Sequence, residues 1–365
     1  MAGIKLQHHS DQQKTADFHF SDSTIQKGIL MNSSKRVLVL GASGAMGQYL
    51  LPRLAEKGEY RIDAVSLDNP KNPLPGINYI RTNAKEKEVY RDLLKNGYDG
   101  IVDFLTYSTG ELSWYLPQIL DHTDHYIFLS SCRVFDDLEH PVRESSPRLI
   151  DSSKDELLRN SDDYCIYKAR GENLLRASPR RNWTIVRPAT TYSLMRYQLV
   201  TLEAANTVGR AFAGKKVVVP EQARLKQATL SWGGDVARML AGLLFNEKAL
   251  CEDFNVATGE HRSWEEIAAY YNDICGLEAV WVDKEDYLRL LTSDPYNMGP
   301  RWQLEYARLF TRITDNTKVL NATGMKQSEL MSLYDGLKLE ISRCPKDTVW
   351  PVNTAMDEYL ARHHL

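Results

Sequence analysis

Apolar residues first fall into order at Arg36-Val37-Leu38-Val39-Leu40, a β-branched and leucine run closed by Gly41, which predicts a strand buried on both faces. From Ala45 the spacing becomes helical, through Met46, Tyr49, Leu50, Leu51 and Leu54, with Gly58 placed to end the helix. A second strand is predicted over 62–67, ending in Asp68-Asn69-Pro70. Further strands are predicted at 78–81, 100–105, 125–130 and 183–187, with helix-period segments at 86–96 and 164–177 between them. Strands alternating with helices over about 150 residues predict an α/β fold with a doubly wound parallel sheet, because parallel neighbours need helix-covered, right-handed crossovers.

After Arg187 the pattern loosens. Residues 235–245 read as a helix returning to the sheet and 254–257 as a late edge strand, whereas 264–342 is mainly helical and rich in Trp and Tyr. The domain boundaries follow. Residues 1–34, polar and aperiodic, are an N-terminal extension; 35–190, completed by 228–257, form the sheet domain; 191–227 and 258–345 form a smaller, mainly helical substrate lobe; 346–365 are a C-terminal tail.

An apolar share of 43% and a charged share of 25% exclude disorder of the whole chain. Net charge is −3 without a long basic run, which argues against nucleic-acid binding. The five cysteines, Cys132, Cys165, Cys251, Cys275 and Cys344, never form a C-x-x-C pair, which argues for a reducing compartment and no structural metal site. No apolar run approaches the roughly 20 residues of a membrane span, and no apolar signal core opens the chain. The expectation is a cytoplasmic protein with no membrane and no metal. His8, His9, His363 and His364 read as solvated, and Trp281, Trp302 and Trp350 as lobe packing.

Gly41-Ala42-Ser43-Gly44-Ala45-Met46-Gly47 joins the first strand to the first helix. Small residues let the backbone approach a pyrophosphate, and the helix N-terminus offers free N–H groups, so this turn predicts a Rossmann-type dinucleotide site. Asp68, with Asn69 beside it, ends the second strand; a carboxylate there accepts from ribose hydroxyls and repels a 2′-phosphate, which favours NAD over NADP. Tyr164 and Lys168 stand four apart and share a helix face. An ammonium favours the phenolate of a tyrosine that is otherwise a poor base at neutral pH. Ser130-Ser131 ends a strand some thirty residues earlier, supplying a hydroxyl that can bond both a substrate oxygen and the tyrosine.

Taken in order, the glycine turn, Asp68-Asn69, Ser130-Ser131, Tyr164 to Lys168 with the following Ala169-Arg170-Gly171-Glu172, and Arg187-Pro188-Ala189-Thr190-Thr191-Tyr192 resemble the extended short-chain dehydrogenase/reductase family, in its NAD-dependent epimerase/dehydratase branch acting on nucleotide sugars. The resemblance continues through Trp232-Gly233-Gly234-Asp235-Val236-Ala237, Phe254-Asn255-Val256-Ala257 and Asp315-Asn316-Thr317-Lys318. It implies Ser131, Tyr164 and Lys168 as the catalytic set. Tyr164 would transfer the proton, and Lys168 would bind the nicotinamide ribose. It implies cofactor contacts from Gly41, Ser43, Gly44, Ala45, Met46, Gly47, Asp68, Asn69, Leu105, Tyr164, Lys168 and Pro188. Ser131, Arg133, Thr190 and Lys226 would touch the substrate. A nucleotide-sugar substrate and a homodimer are implied in the same way.

Departures from the family pattern bear on the reaction. Val134-Phe135-Asp136 replaces V-Y-G, Asp103-Phe104-Leu105-Thr106-Tyr107-Ser108 replaces a small H-x-A-A turn, and Leu40 replaces a Thr before the first glycine. Cys132-Arg133 does not supply the Asp-Glu pair of sugar 4,6-dehydratases, which disfavours that elimination. No arginine aligns just before Trp232, where relatives grip the diphosphate, so Lys226 or Arg224 is the expected substitute. The resulting expectation is an NAD-dependent epimerase working through a keto-sugar. A keto-sugar reductase or dehydrogenase and a non-catalytic or RNA-associated relative are the alternatives.

Overall fold

The computed structural model describes residues 34–70, 72–294 and 296–365. Residues 1–33 of the expected extension, including His8 and His9, lie outside the described residues. Seven strands form the central sheet: β1 (Lys35–Leu40), β2 (Tyr60–Ser66), β3 (Ile77–Arg81), β4 (Tyr98–Asp103), β5 (Thr123–Leu129), β6 (Trp183–Pro188) and β7 (Glu252–Val256). They lie in the order β3-β2-β1-β4-β5-β6-β7, and every neighbouring pair is parallel.

The apolar run of β1 explains its central place. Val37 and Val39 pack on one face with Leu50, Leu51 and Leu54 of α1 (Gly47–Glu56). Leu38 and Leu40 pack on the other, against Tyr90 of α2 (Lys87–Leu94) and Leu112 and Ile119 of α3 (Thr109–Asp121). A strand covered on both faces needs no polar alternation. Helix α4 (Tyr164–Ala177) shares the second face through Leu175, and α5 (Gly233–Leu243) shares the first through Val236, Met239 and Leu240.

The hydrophobic spacing does not predict helix α3. Gly110 and Pro117 dilute its helical signal, yet Ser108 and Glu111 form a capping box at its start, the one local cue to its position. Beyond β6 the chain builds a second core around Val217–Val219, Trp264, Ile267, Tyr271 and Leu337. This part is helical with short strands inserted: Val217–Pro220 pairs with Ala279–Val282, and Thr190–Tyr192 with Leu230–Trp232. Residues Thr354–Arg362, within the stretch expected as a tail, form a helix whose Met356 and Leu360 enter the same core.

The order of the sheet reverses between β1 and β4. Loops leaving the two strands diverge there, and a crevice opens at the carboxyl edge.

Candidate active site

The turn after β1 forms one wall of that crevice. Gly41 takes φ +75°, a left-handed conformation that glycine alone adopts without strain, and its N–H and that of Ala42 both donate to the Val65 carbonyl at 3.0 Å. A Cβ on Gly47 would lie 2.4 Å from the Ala42 carbonyl oxygen, so no side chain fits between turn and helix. Helix α1 has no side-chain cap and no acid in its first turn; the Gln48 and Tyr49 N–H groups bond the Gly44 and Met46 carbonyls, and the positive end of the helix faces the cleft without a competing carboxylate.

Gly41, Ser43, Gly44, Ala45, Met46 and Gly47 line a cleft of about 500 Å³ that continues past Asp68 and Leu105 to Tyr164. Asp68 is exposed at its rim, whereas Asn69 is not among the lining residues. A close-approach turn, an uncapped helix N-terminus and a carboxylate two residues past β2 fit the pyrophosphate and adenosine ribose of a dinucleotide.

Of the predicted catalytic set, Tyr164 lines the inner end of the cleft, Ser131 lines the cavity that adjoins it, and Lys168 lines neither. Asp163 caps α4 by accepting from the Cys165 N–H at 3.1 Å, which fixes Tyr164 and Lys168 on the first turns of the helix. Lys168 is buried, donates to the Leu129 carbonyl at 2.6 Å, and lies 5.9 Å from the Tyr164 ring centre. Ser131 begins a short 3-10 turn and accepts from the Arg133 N–H at 3.2 Å. Burial raises the Tyr164 phenol, while the Ser131 hydroxyl and the Arg133 and Arg196 charges lower it. Burial lowers Lys168 to about 8, against the attraction of Asp103.

A second cavity of about 240 Å³ meets the cleft at Met46, Leu129, Tyr164 and Arg196. Its walls include Ser131, Arg133, Pro188, Thr190, Gln198, Glu203 and Arg308. Ser131, Arg133 and Thr190 are therefore brought together as expected. Lys226 is not: it lines neither cavity, its carbonyl accepts from the Trp264 N–H, and neighbouring Arg224 is taken up by Glu265 at 2.6 Å. Besides Arg133, the arginines that line the cavity are Arg196 and Arg308. Arg308 closes a π-helical turn, Leu304–Arg308, a local widening no spacing in the sequence announces. Asp103 and Glu172, each buried beside the site, were named only within motifs. Among the described residues no group of three or more His, Cys, Asp or Glu is placed to hold a metal ion, and no helix is long and apolar enough to cross a membrane.

A doubly wound sheet with a glycine turn at its switch point and a serine–tyrosine–lysine set beside it defines a Rossmann-type enzyme of dinucleotide chemistry. The chain belongs to the NAD dependent epimerase/dehydratase family, whose model matches residues 37–257, and it is an enzyme of that family. No curated protein matches it in sequence. Its fold is similar to that of an epimerase from Methanothermobacter thermautotrophicus, at 15% identity over 85% of this chain and 92% of that one, with a TM-score of 0.66. It is similar also to UDP-glucose 4-epimerase of Thermotoga maritima with UDP-glucose, at 17% identity, 84% and 97% coverage and a TM-score of 0.64. A third similar structure is dTDP-glucose 4,6-dehydratase of Bacillus anthracis in complex with NAD, at 16% identity, 84% and 96% coverage and a TM-score of 0.63.

Proposed function

We propose that the protein is an NAD-dependent epimerase of a nucleotide-diphosphate sugar, acting through a keto-sugar. The observation that carries this reading is that Tyr164 faces both cavities, the cleft fitted to a dinucleotide and the smaller one beside Ser131. When bound, NAD would take a hydride from the sugar carbon and give it back.

The chain's own residues supply the rest. The Tyr164 oxygen takes the proton of the sugar hydroxyl and later returns it. Ser131 hydrogen-bonds the same sugar oxygen and holds it against Tyr164. Lys168, held by the Leu129 carbonyl, presents its charge to the cofactor ribose and favours the Tyr164 phenolate. Asp68 accepts from the adenosine ribose, and Pro188 and Met46 wall the inner end from water.

The test is incubation with UDP-, GDP-, CDP- and dTDP-sugars in ordinary and deuterated water, without added cofactor. Interconversion of two sugars with no net NADH and no solvent deuterium at the inverted carbon is the expected result. Stoichiometric NADH consumption with a keto-sugar would establish a reductase instead.

A further inference from the structure

Arg133, Arg196 and Arg308 all line the 240 Å³ cavity into which Tyr164 and Ser131 open, and Glu203 is the one carboxylate among its described lining residues. The charges are poorly matched. Glu203 stands 4.0 Å from Arg196, and Asp163, outside the cavity, takes one Arg133 nitrogen at 3.3 Å. The Arg133 Nε is buried without a hydrogen-bond partner. Arg308 is 7% exposed and donates from Nε to the Val200 carbonyl at 2.7 Å. Among the described residues, no carboxylate lies within ion-pair distance of it, and its terminal nitrogens have no protein acceptor.

Convergent guanidiniums in a buried space repel one another and lose hydration. Burial lowers Arg308, the charges of Arg133 and Arg196 push in the same direction, and Glu203 opposes them without reversing the shift. A ligand anion would reverse both penalties, and the planar fork of arginine matches a carboxylate with paired bonds. Position narrows the choice of anion. The Arg133 guanidinium carbon is 5.1 Å from the Tyr164 ring centre, and its backbone N–H bonds Ser131. An anion on Arg133 therefore sits beside the proton-transfer pair, on the part of the substrate that reacts.

We propose that the reacting sugar itself carries a carboxylate, as a uronic acid does, held by Arg133 and Arg308 next to the hydroxyl that Tyr164 deprotonates. This rests on the nucleotide-sugar reading above and narrows its substrate class.

The test is calorimetric binding to the NAD-loaded protein of UDP-glucuronate and GDP-mannuronate against UDP-glucose and GDP-mannose. At least one acid is expected to bind tenfold or more tightly than its neutral partner. Arg133→Met should shrink that preference while NADH fluorescence titration stays unchanged; Arg308→Lys, which keeps the charge but loses the planar fork, should shrink it too and keeps the test open should Arg133→Met fail to fold. Equal binding of acid and neutral sugar overturns the proposal, as does failure of both acids to bind. So does an equal loss for both members of a pair in the variants, because the arginines would then serve the shared diphosphate. An acid preference without interconversion supports the carboxylate site and sinks the epimerase reading. Interconversion of neutral sugars without the preference does the reverse.

Discussion

Glu172 and Arg187 form a two-pronged ion pair sealed from solvent, with Arg187 Nε 2.7 Å from Oε1 and Nη2 2.8 Å from Oε2 of the carboxylate. The pair fastens α4, about two turns past Tyr164 and one past Lys168, to β6, which ends at Pro188. Ser130 donates to the same carboxylate at 2.6 Å, so the strand end before Ser131 is tied in as well. Helix, serine turn and Pro188 thus share one buried anchor.

Breaking such a pair strands a buried charge, so Glu172→Gln should cost about 3–5 kcal/mol of stability in urea denaturation. Arg187, the Ser130 bond and Arg176 hold Glu172 down to about 2 against the opposing effect of burial. A carboxylate depressed in the fold stabilises above its unfolded value of 4.5, and that contribution fades as pH falls toward 2. The unaltered protein should lose this stability in that acid window; Glu172→Gln should lack the loss. Identical acid limbs would show that Glu172 is not the group responsible.

Asp103 gives a second prediction. It pairs in register with Phe128, over whose ring the Lys168 ammonium lies at 5.2 Å. Its carboxylate accepts from the Leu105 N–H at 2.9 Å and from Tyr107 and Tyr126 at 3.0 and 3.1 Å. Burial lifts Asp103 to about 6, and its attraction partly offsets the burial that lowers Lys168. Asp103→Asn keeps an acceptor but removes the charge, so Lys168 should become neutral at a lower pH than in the unaltered protein. NADH affinity, followed by fluorescence, should weaken above about pH 8 in the unaltered protein and from a lower pH in Asp103→Asn. Superimposable pH profiles would separate Asp103 from the lysine.

Asp68 yields a cofactor prediction. Exposed at the cleft rim, it is free to accept from ribose hydroxyls and to repel a 2′-phosphate. NAD(H) should bind more tightly than NADP(H), and Asp68→Ala should narrow the gap by about tenfold or more, roughly the value of one charge-assisted hydrogen bond. Tighter binding of NADP(H) to the unaltered protein would sink the assignment.

The parts legible in the sequence are those whose physics is local. The run at Val37–Leu40, the glycine turn and the Tyr164/Lys168 spacing each carry their own signal within a few residues. Arg308 does not, because its entry into the cavity depends on a π-helical turn more than a hundred residues from Ser131. Its place before Trp232 points to Lys226, but the bond from the Trp264 N–H to the Lys226 carbonyl and the pairing of Arg224 with Glu265 turn that segment toward the lobe. Asp103 looked like a mere departure from a small turn; its meaning emerges only where β4, β5 and α4 meet.

Tyr164→Phe isolates the proton step. The ring sits at the junction of the two cavities, packed at 5.4 Å against Tyr167 and under the Arg133 guanidinium, and a phenylalanine keeps both contacts. Only the hydroxyl is lost, so the fold and NADH binding should change little. Turnover should fall by about 10²-fold or more, the lower end of what positioned proton transfer contributes. The loss should appear in kcat with KM nearly constant, because the hydroxyl acts on the reacting oxygen and not on the groups that hold the sugar. Ser131→Ala should lower kcat by a smaller factor, since it removes a bond to the sugar oxygen and leaves the proton acceptor in place. Single-turnover absorbance of NADH at saturating sugar distinguishes a chemical defect from slow release. Near-native turnover in Tyr164→Phe would place the proton on another residue and would leave Ser131 and Lys168 with only a binding role.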